Sequence, residues 1–104
     1  MTTTAQMQDY FVLPFAGTVL FTIHTEWRSN LAELVAREFT EFSIFEGMGY
    51  WRGFPERCAR IDIIADVEAR ATVERLAKTI RETNTQETVL VSETAIVLTE
   101  IAAL

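Results

Sequence analysis

The side chains with the most chemical reach lie in one run, Gly47-Met48-Gly49-Tyr50-Trp51-Arg52-Gly53, and in the single histidine, His24. An aromatic pair beside an arginine, flanked by glycines, suits a pocket lip, where rings stack on a flat ligand and a guanidinium holds an anionic group. The same residue types crowd subunit interfaces, and a bulged strand end packed against a neighbour is the commoner outcome for them. His24 would serve as a general base or a proton-linked ligand contact. Catalysis needs a second group acting with it, and the sequence names none. Cys58 falls on the same strand face as Arg60, which would draw its thiol towards thiolate, although a thiol packed as a small hydrophobe is more usual. Glu41, Glu46 and Glu56 bracket the glycine run and can pair with Arg52, Arg57 or Arg60. His24 with Glu26 or Glu46 does not make a convergent metal-ligand set. The candidate ligand-binding residues are therefore Tyr50, Trp51, Arg52, His24 and Arg60, with no catalytic residue, cofactor or metal assigned.

The elements that must position these groups follow from periodicity. Thr18–Thr25 alternates as a strand, with Val19, Phe21 and Ile23 on one face and Leu20, Thr22 and His24 on the other. Trp27, Leu31, Leu34, Val35, Phe39 and Phe42 follow helical spacing, predicting a helix from about Glu26 to Thr40, capped by Thr25 or Ser29. Phe42–Arg52 reads as a second strand, distorted near Gly47 and Gly49, where a bulge or a close approach by another group is expected. Gly53, Phe54 and Pro55 supply a turn, and a third strand runs from about Arg57 to Ala65. Asp66 is the expected N-cap of a second helix, about Val67–Thr83, with Val73, Leu76, Ala77 and Ile80 as its buried stripe and Asn84 as its stop. Glu87–Ile101 is rich in Val, Ile and Thr, hence strand, with a kink around Ser92–Thr94. Residues 1–16 form an N-terminal arm or edge strand, limited by Pro14, and residues 17–104 form the domain.

This order is β-α-β-β-α-β, an α+β ferredoxin-like sandwich: an antiparallel sheet with two helices on one face. The helices account for Val19, Phe21, Ile23, Ile61 and Ile63. The other face then carries Leu20, Thr22, His24, Cys58, Arg60, Asp62 and Ile64, a mixture too apolar for open water and too polar for a dry core. A second copy of the chain or the N-terminal arm is expected to cover it.

Composition narrows the function classes. The 104 residues suit one domain, and 49% hydrophobic content with only 4 Gly and 2 Pro leaves little for linkers. A net charge of −6, with Lys78 the only lysine, argues against nucleic-acid binding. A nucleic-acid mimic would need regular carboxylate arrays, whereas the helices alternate acids with arginines. The lone Cys58 excludes an internal disulfide and multi-cysteine metal sites, and suits a reducing cytoplasm. The apolar stretch Tyr10–Ile23 is too short to span a bilayer and is broken by Pro14 and Gly17, so no membrane association is expected.

The element order resembles the PII-like and CutA-like ferredoxin-fold group, whose members assemble as trimers. More narrowly, Gly49-Tyr50-Trp51, the strand Ile61-Asp62-Ile63-Ile64 and the run Gln86-Glu87-Thr88-Val89-Leu90-Val91 resemble a family of uncharacterised bacterial ferredoxin-like domains. That resemblance implies no activity, and the nucleotide-binding glycine loop of true PII regulators is absent, so ATP binding is not implied. The leading expectation is a non-enzymatic, acidic, homo-oligomeric binding domain, dimer or trimer, taking a small molecule or a protein partner. The rival is a cofactor-independent enzyme of the dimeric α+β barrel kind, similar to small monooxygenases or isomerases, with its pocket near His24, Trp51 and Arg52.

Overall fold

The computed structural model describes residues 17–103; the expected arm, residues 1–16, lies outside them. Strand β1 (Thr18–Glu26) leads into helix α1 (Leu31–Ala36), followed by the hairpin of β2 (Ser43–Trp51) and β3 (Phe54–Asp66). A single 3-10 turn (Val67–Ala69) opens helix α2 (Arg70–Thr83), and β4 (Leu90–Ala95) closes the sheet. The four strands are antiparallel in the order β2-β3-β1-β4. This is a small α+β architecture compatible with a ferredoxin-like fold.

Alternation along the strands builds the core. Val19, Phe21 and Ile23 of β1 lie in register with Ala65, Ile63 and Ile61 of β3, and all but the half-buried Ala65 are buried. Leu31, Leu34 and Val35 of α1 and Val73, Leu76, Ala77 and Ile80 of α2 pack onto them as one cluster. Both helices therefore cover the same side of the sheet. Each fully buried Ile or Phe contributes about 1.5–3 kcal/mol by leaving water.

Several boundaries differ from expectation, each for a local reason. Helix α1 is six residues long rather than running from Glu26 to Thr40. The chain stays extended through Glu26, paired with Cys58, and the Trp27 amide still donates to the Arg57 carbonyl at 3.1 Å. Sheet pairing outcompetes helix over those residues. Neither Thr25 nor Ser29 caps α1: Asn30 occupies the N-cap and makes no capping bond, its amide Nδ2 donating instead to Asn84 Oδ1 at 2.8 Å. Asp66 does cap the next helical segment, accepting from the Glu68 amide at 2.9 Å. Strand β4 stops at Ala95 because β1, its partner, begins at Thr18; one further bond, Ile96 amide to Thr18 carbonyl, follows. At the helix side of β4, Arg70 holds Glu93 through two bonds of 2.7 and 2.6 Å, which keep the Glu93 carboxyl below its usual range.

The expected bulge is absent. Pairing of β2 with β3 runs one-to-one through Gly47↔Cys58 and Gly49↔Glu56. The turn also begins one residue earlier than expected and is shorter: Trp51 pairs with Phe54, and only Arg52 and Gly53 lie between. Both have positive φ, 51° and 83°, the signature of a type I′ hairpin whose twist matches the strands. Phe54 and Pro55 thereby enter β3. A Cβ at Gly53 meets nothing within 4 Å, so the demand there is purely on the backbone. Gly53→Ala should lower unfolding stability by about 1–2 kcal/mol in denaturant titrations, whereas Arg52→Gly should leave it unchanged or raise it.

Candidate functional site

Alternation that fills the core also dictates the uncovered face. Leu20, Thr22, His24 and Glu26 of β1 point there, with Phe45, Gly47, Gly49 and Trp51 of β2. The even-numbered residues of β3, from Phe54 to Asp66, complete it together with Leu90, Ser92 and Thr94 of β4. The grouping of Leu20, Thr22, His24, Cys58, Arg60, Asp62 and Ile64 expected from sequence is thus what the register gives. Its middle is polar and engaged. The Thr22 hydroxyl donates to Asp62 Oδ1 at 3.1 Å, Arg60 Nε lies 3.2 Å from the same oxygen, and the Arg60 guanidinium sits 4.6 Å from the centroid of the Phe45 ring. His24 Nε2 and Ser92 Oγ are in hydrogen-bond contact at 3.3 Å.

At each end of this face the surface sinks into a half-open groove. The groove beyond His24 has a volume of about 470 Å³ and is walled by His24, Trp51, Leu90 and the carboxylate-bearing Glu26, Glu56 and Glu87. The groove at the opposite end, about 750 Å³, is lined by Leu20, Phe42, Phe45, Ile64 and Leu98, with Glu41, Asp62 and Asp66 along it.

Of the five sequence-derived candidates, His24 and Trp51 meet in the first groove. Arg52, in the turn, stacks over the Trp51 ring at 5.4 Å from its centroid and does not line the groove. Tyr50 alternates onto the helix side of β2, away from Trp51. Arg60 is the register partner of His24 but is committed to Asp62 and Phe45. Of the surrounding acids, Glu46 pairs with Arg57 and Glu26 with Arg28, the latter at 2.7 Å. Glu56 and Glu87 line the groove as well.

Sequence reasoning missed Gln86, Glu87 and Thr88, and their placement has a traceable origin. Helix α2 ends in a Schellman arrangement: the Thr85 amide bonds the Glu82 carbonyl at 3.3 Å and the Gln86 amide bonds the Arg81 carbonyl at 2.9 Å. Such an ending requires a left-handed residue, normally glycine, and here Thr85 adopts φ 53°. The reversal delivers Gln86 into the interior, where Oε1 accepts from the Thr25 hydroxyl at 2.9 Å and the Glu26 amide at 3.2 Å. The end of β1 is thereby tied to the entry of β4, and Glu87 and Thr88 are set on the groove wall. The signal available in sequence was a helix stop, Asn84, followed by the polar run Thr85–Thr88.

No family model matches the chain, and no curated protein matches it. Solved structures do. A DUF3240 family protein from Shewanella baltica OS155 superimposes with a TM-score of 0.59 at 10% identity, over 79% of this chain and 92% of that one. A phage SAM lyase in complex with S-methyl-5'-thioadenosine gives 0.58 at 17% identity, over 81% of this chain and 85% of that one. At such identities the likeness is one of fold. A neighbour from a DUF family is compatible with the resemblance to uncharacterised ferredoxin-like domains.

Thr85→Gly should raise stability by about 1 kcal/mol by relieving the left-handed threonine. Gln86→Ala should cost about 1–3 kcal/mol, because it removes the acceptor of the Glu26 amide and leaves the Thr25 hydroxyl only the Glu26 carbonyl. Amide exchange at Glu26, followed by NMR, should accelerate in Gln86→Ala and stay slow in Thr85→Gly.

Proposed function

We propose that the chain is a homo-oligomeric ligand-binding domain of ferredoxin-like fold, whose ligand sits in the groove between His24 and Trp51. The observation that carries this reading is the groove itself: about 470 Å³, within the ordinary range for small-molecule sites, with an indole on one wall and polar groups converging from β1, β3 and the segment before β4. Trp51 offers a stacking surface, 67% exposed and so available. Glu26, Glu56 and Glu87 accept hydrogen bonds and repel phosphate, so the ligand class is a neutral or cationic planar molecule with hydroxyl or amino donors. A nucleoside without phosphates fits that description. The neighbour solved with S-methyl-5'-thioadenosine makes this thioether nucleoside the first ligand to try.

A second reading, a cofactor-independent enzyme, is favoured by one arrangement: an imidazole and carboxylates line the same groove as the aromatic wall. In that reading His24 transfers a proton while Trp51 positions the substrate, Arg52 lying outside the groove walls. A single chain leaves the groove half-open, so a second copy would have to close it for water to be excluded. The neighbour's name, a SAM lyase, supplies the substrate to assay, S-adenosylmethionine.

Light scattering on the purified chain should give a mass above that of the 11.8 kDa monomer at micromolar concentration. S-methyl-5'-thioadenosine should quench tryptophan fluorescence in the native chain and in Trp27→Phe, but not in Trp51→Phe. A strict monomer with no quenching would defeat the binding reading. Incubation with S-adenosylmethionine, followed by chromatography for released S-methyl-5'-thioadenosine, separates the two: turnover abolished by His24→Ala establishes the enzyme.

A further inference from the structure

The β2–β3 hairpin outruns the sheet. Strand β1 ends opposite Cys58, so Phe54, Pro55 and Glu56 pair with β2 alone. At the tip, Trp51 and Phe54 form the last ladder pair and alternate onto the uncovered face, 67% and 73% exposed. Two large rings held in water at the end of a rigid type I′ turn constitute a preformed apolar knob. At the other end of the same face lies the larger groove, about 750 Å³, floored by Leu20, Phe42, Phe45, Ile64 and Leu98.

We infer that the hairpin tip of one chain, Trp51 and Phe54, seats in the Phe45–Ile64 groove of a second copy. Three features support this occupant. The first is charge: the tip carries Arg52, while Glu41 and Asp66 line the groove beside the Arg60-paired Asp62, so the rings enter with a cation on the acidic side. The second is position. Knob and groove lie on one face, ten residues apart along β3 between Phe54 and Ile64, or about 33 Å at strand rise. A copy turned end for end on that face offers its groove to the tip and its tip to the groove, while copies related head to tail form the same contact around a ring. The third is area. Each ring buries about 150–250 Å² on insertion, most of it available at these exposures. Matched on the groove side and made twice, the contact reaches about 1,200 Å², the lower bound of a specific interface.

The inference rests on the self-association reading and gives it residues. Trp51→Ala/Phe54→Ala should lose the knob and keep the groove; Ile64→Glu should do the reverse. Sedimentation should show each variant as a monomer. In a Cys58→Ser background, chains carrying Phe54→Cys mixed with chains carrying Ile64→Cys should form a mixed disulfide in high yield, a readout that does not require the aromatic deletions to fold. If both variants keep the native oligomer and no mixed disulfide forms, the tip contact is wrong while self-association survives. A native chain that is already monomeric overturns both. A monomeric chain in which Ile64→Glu merely loses stability means that the groove is covered from within the chain, and the inference fails.

Discussion

One constraint governs the molecule: side chains of a strand alternate, and two helices can roof only one side of a four-stranded sheet. Every apolar residue that Val19, Phe21, Ile23, Ile61 and Ile63 place in the core obliges its neighbour in sequence to face outwards. The β1–β3 ladder transmits this over nine consecutive pairs, so a one-residue slip would exchange core and surface wholesale. The uncovered face is thus a consequence of folding, and its chemistry is what the chain has done with that consequence. Its centre is a set of satisfied polar contacts around Asp62, and both ends are hollow.

Two residues are held in a conformation they disfavour, and each sits beside one of these features. Arg52 at φ 51° closes the hairpin so tightly that Trp51 and Phe54 become its final pair, projecting together. Thr85 at φ 53° lets α2 reverse within two residues and bury Gln86 against the end of β1. Left-handed non-glycine residues cost about 1–2 kcal/mol each and persist only where surrounding packing overrides them. Asparagine or glycine would meet both turns with less backbone strain; at Arg52 the guanidinium stacks on the Trp51 indole. Nothing in the structure explains the threonine at position 85.

The alternating patterns of β1 and β3 and the stripe Val73–Ile80 were legible because periodicity survives in long, strongly patterned segments, and the composition of the uncovered face followed from them by parity alone. Helix α1 was overread because Trp27, Phe39 and Phe42 have helical spacing yet reach the core from extended or irregular backbone. Gly47 and Gly49 suggested a bulge or a close approach by another group; the strand is unbulged, and an added Cβ would lie 3.7 and 3.6 Å from Cys58 Sγ, an ordinary contact. At the site, His24 and Trp51 stood out as singular residues, and the structure does bring them to one groove. Tyr50, Trp51 and Arg52 were grouped by adjacency in sequence, which alternation and the turn then separate. Glu87 and Thr88 reach the groove through a helix-ending reversal that no periodicity encodes.

Trp51 is where the two grooves become coupled. Its indole walls the His24 groove, and together with Phe54 it makes the tip proposed to enter a neighbouring chain. Phe54 takes no part in the His24 groove, so a division of labour is available: Phe54 as the deep anchor in the neighbour, Trp51 stacked between neighbour and ligand. Two binding events that share a side chain are linked, and the free energy by which a ligand alters association equals that by which association alters ligand affinity. In the proposed assembly, a flat ligand that fixes the indole removes rotamer freedom the interface would otherwise have to remove, so occupancy and assembly would reinforce one another. The half-open groove of the isolated chain would then be the unassembled end of a single equilibrium, with the completed site belonging to the oligomer.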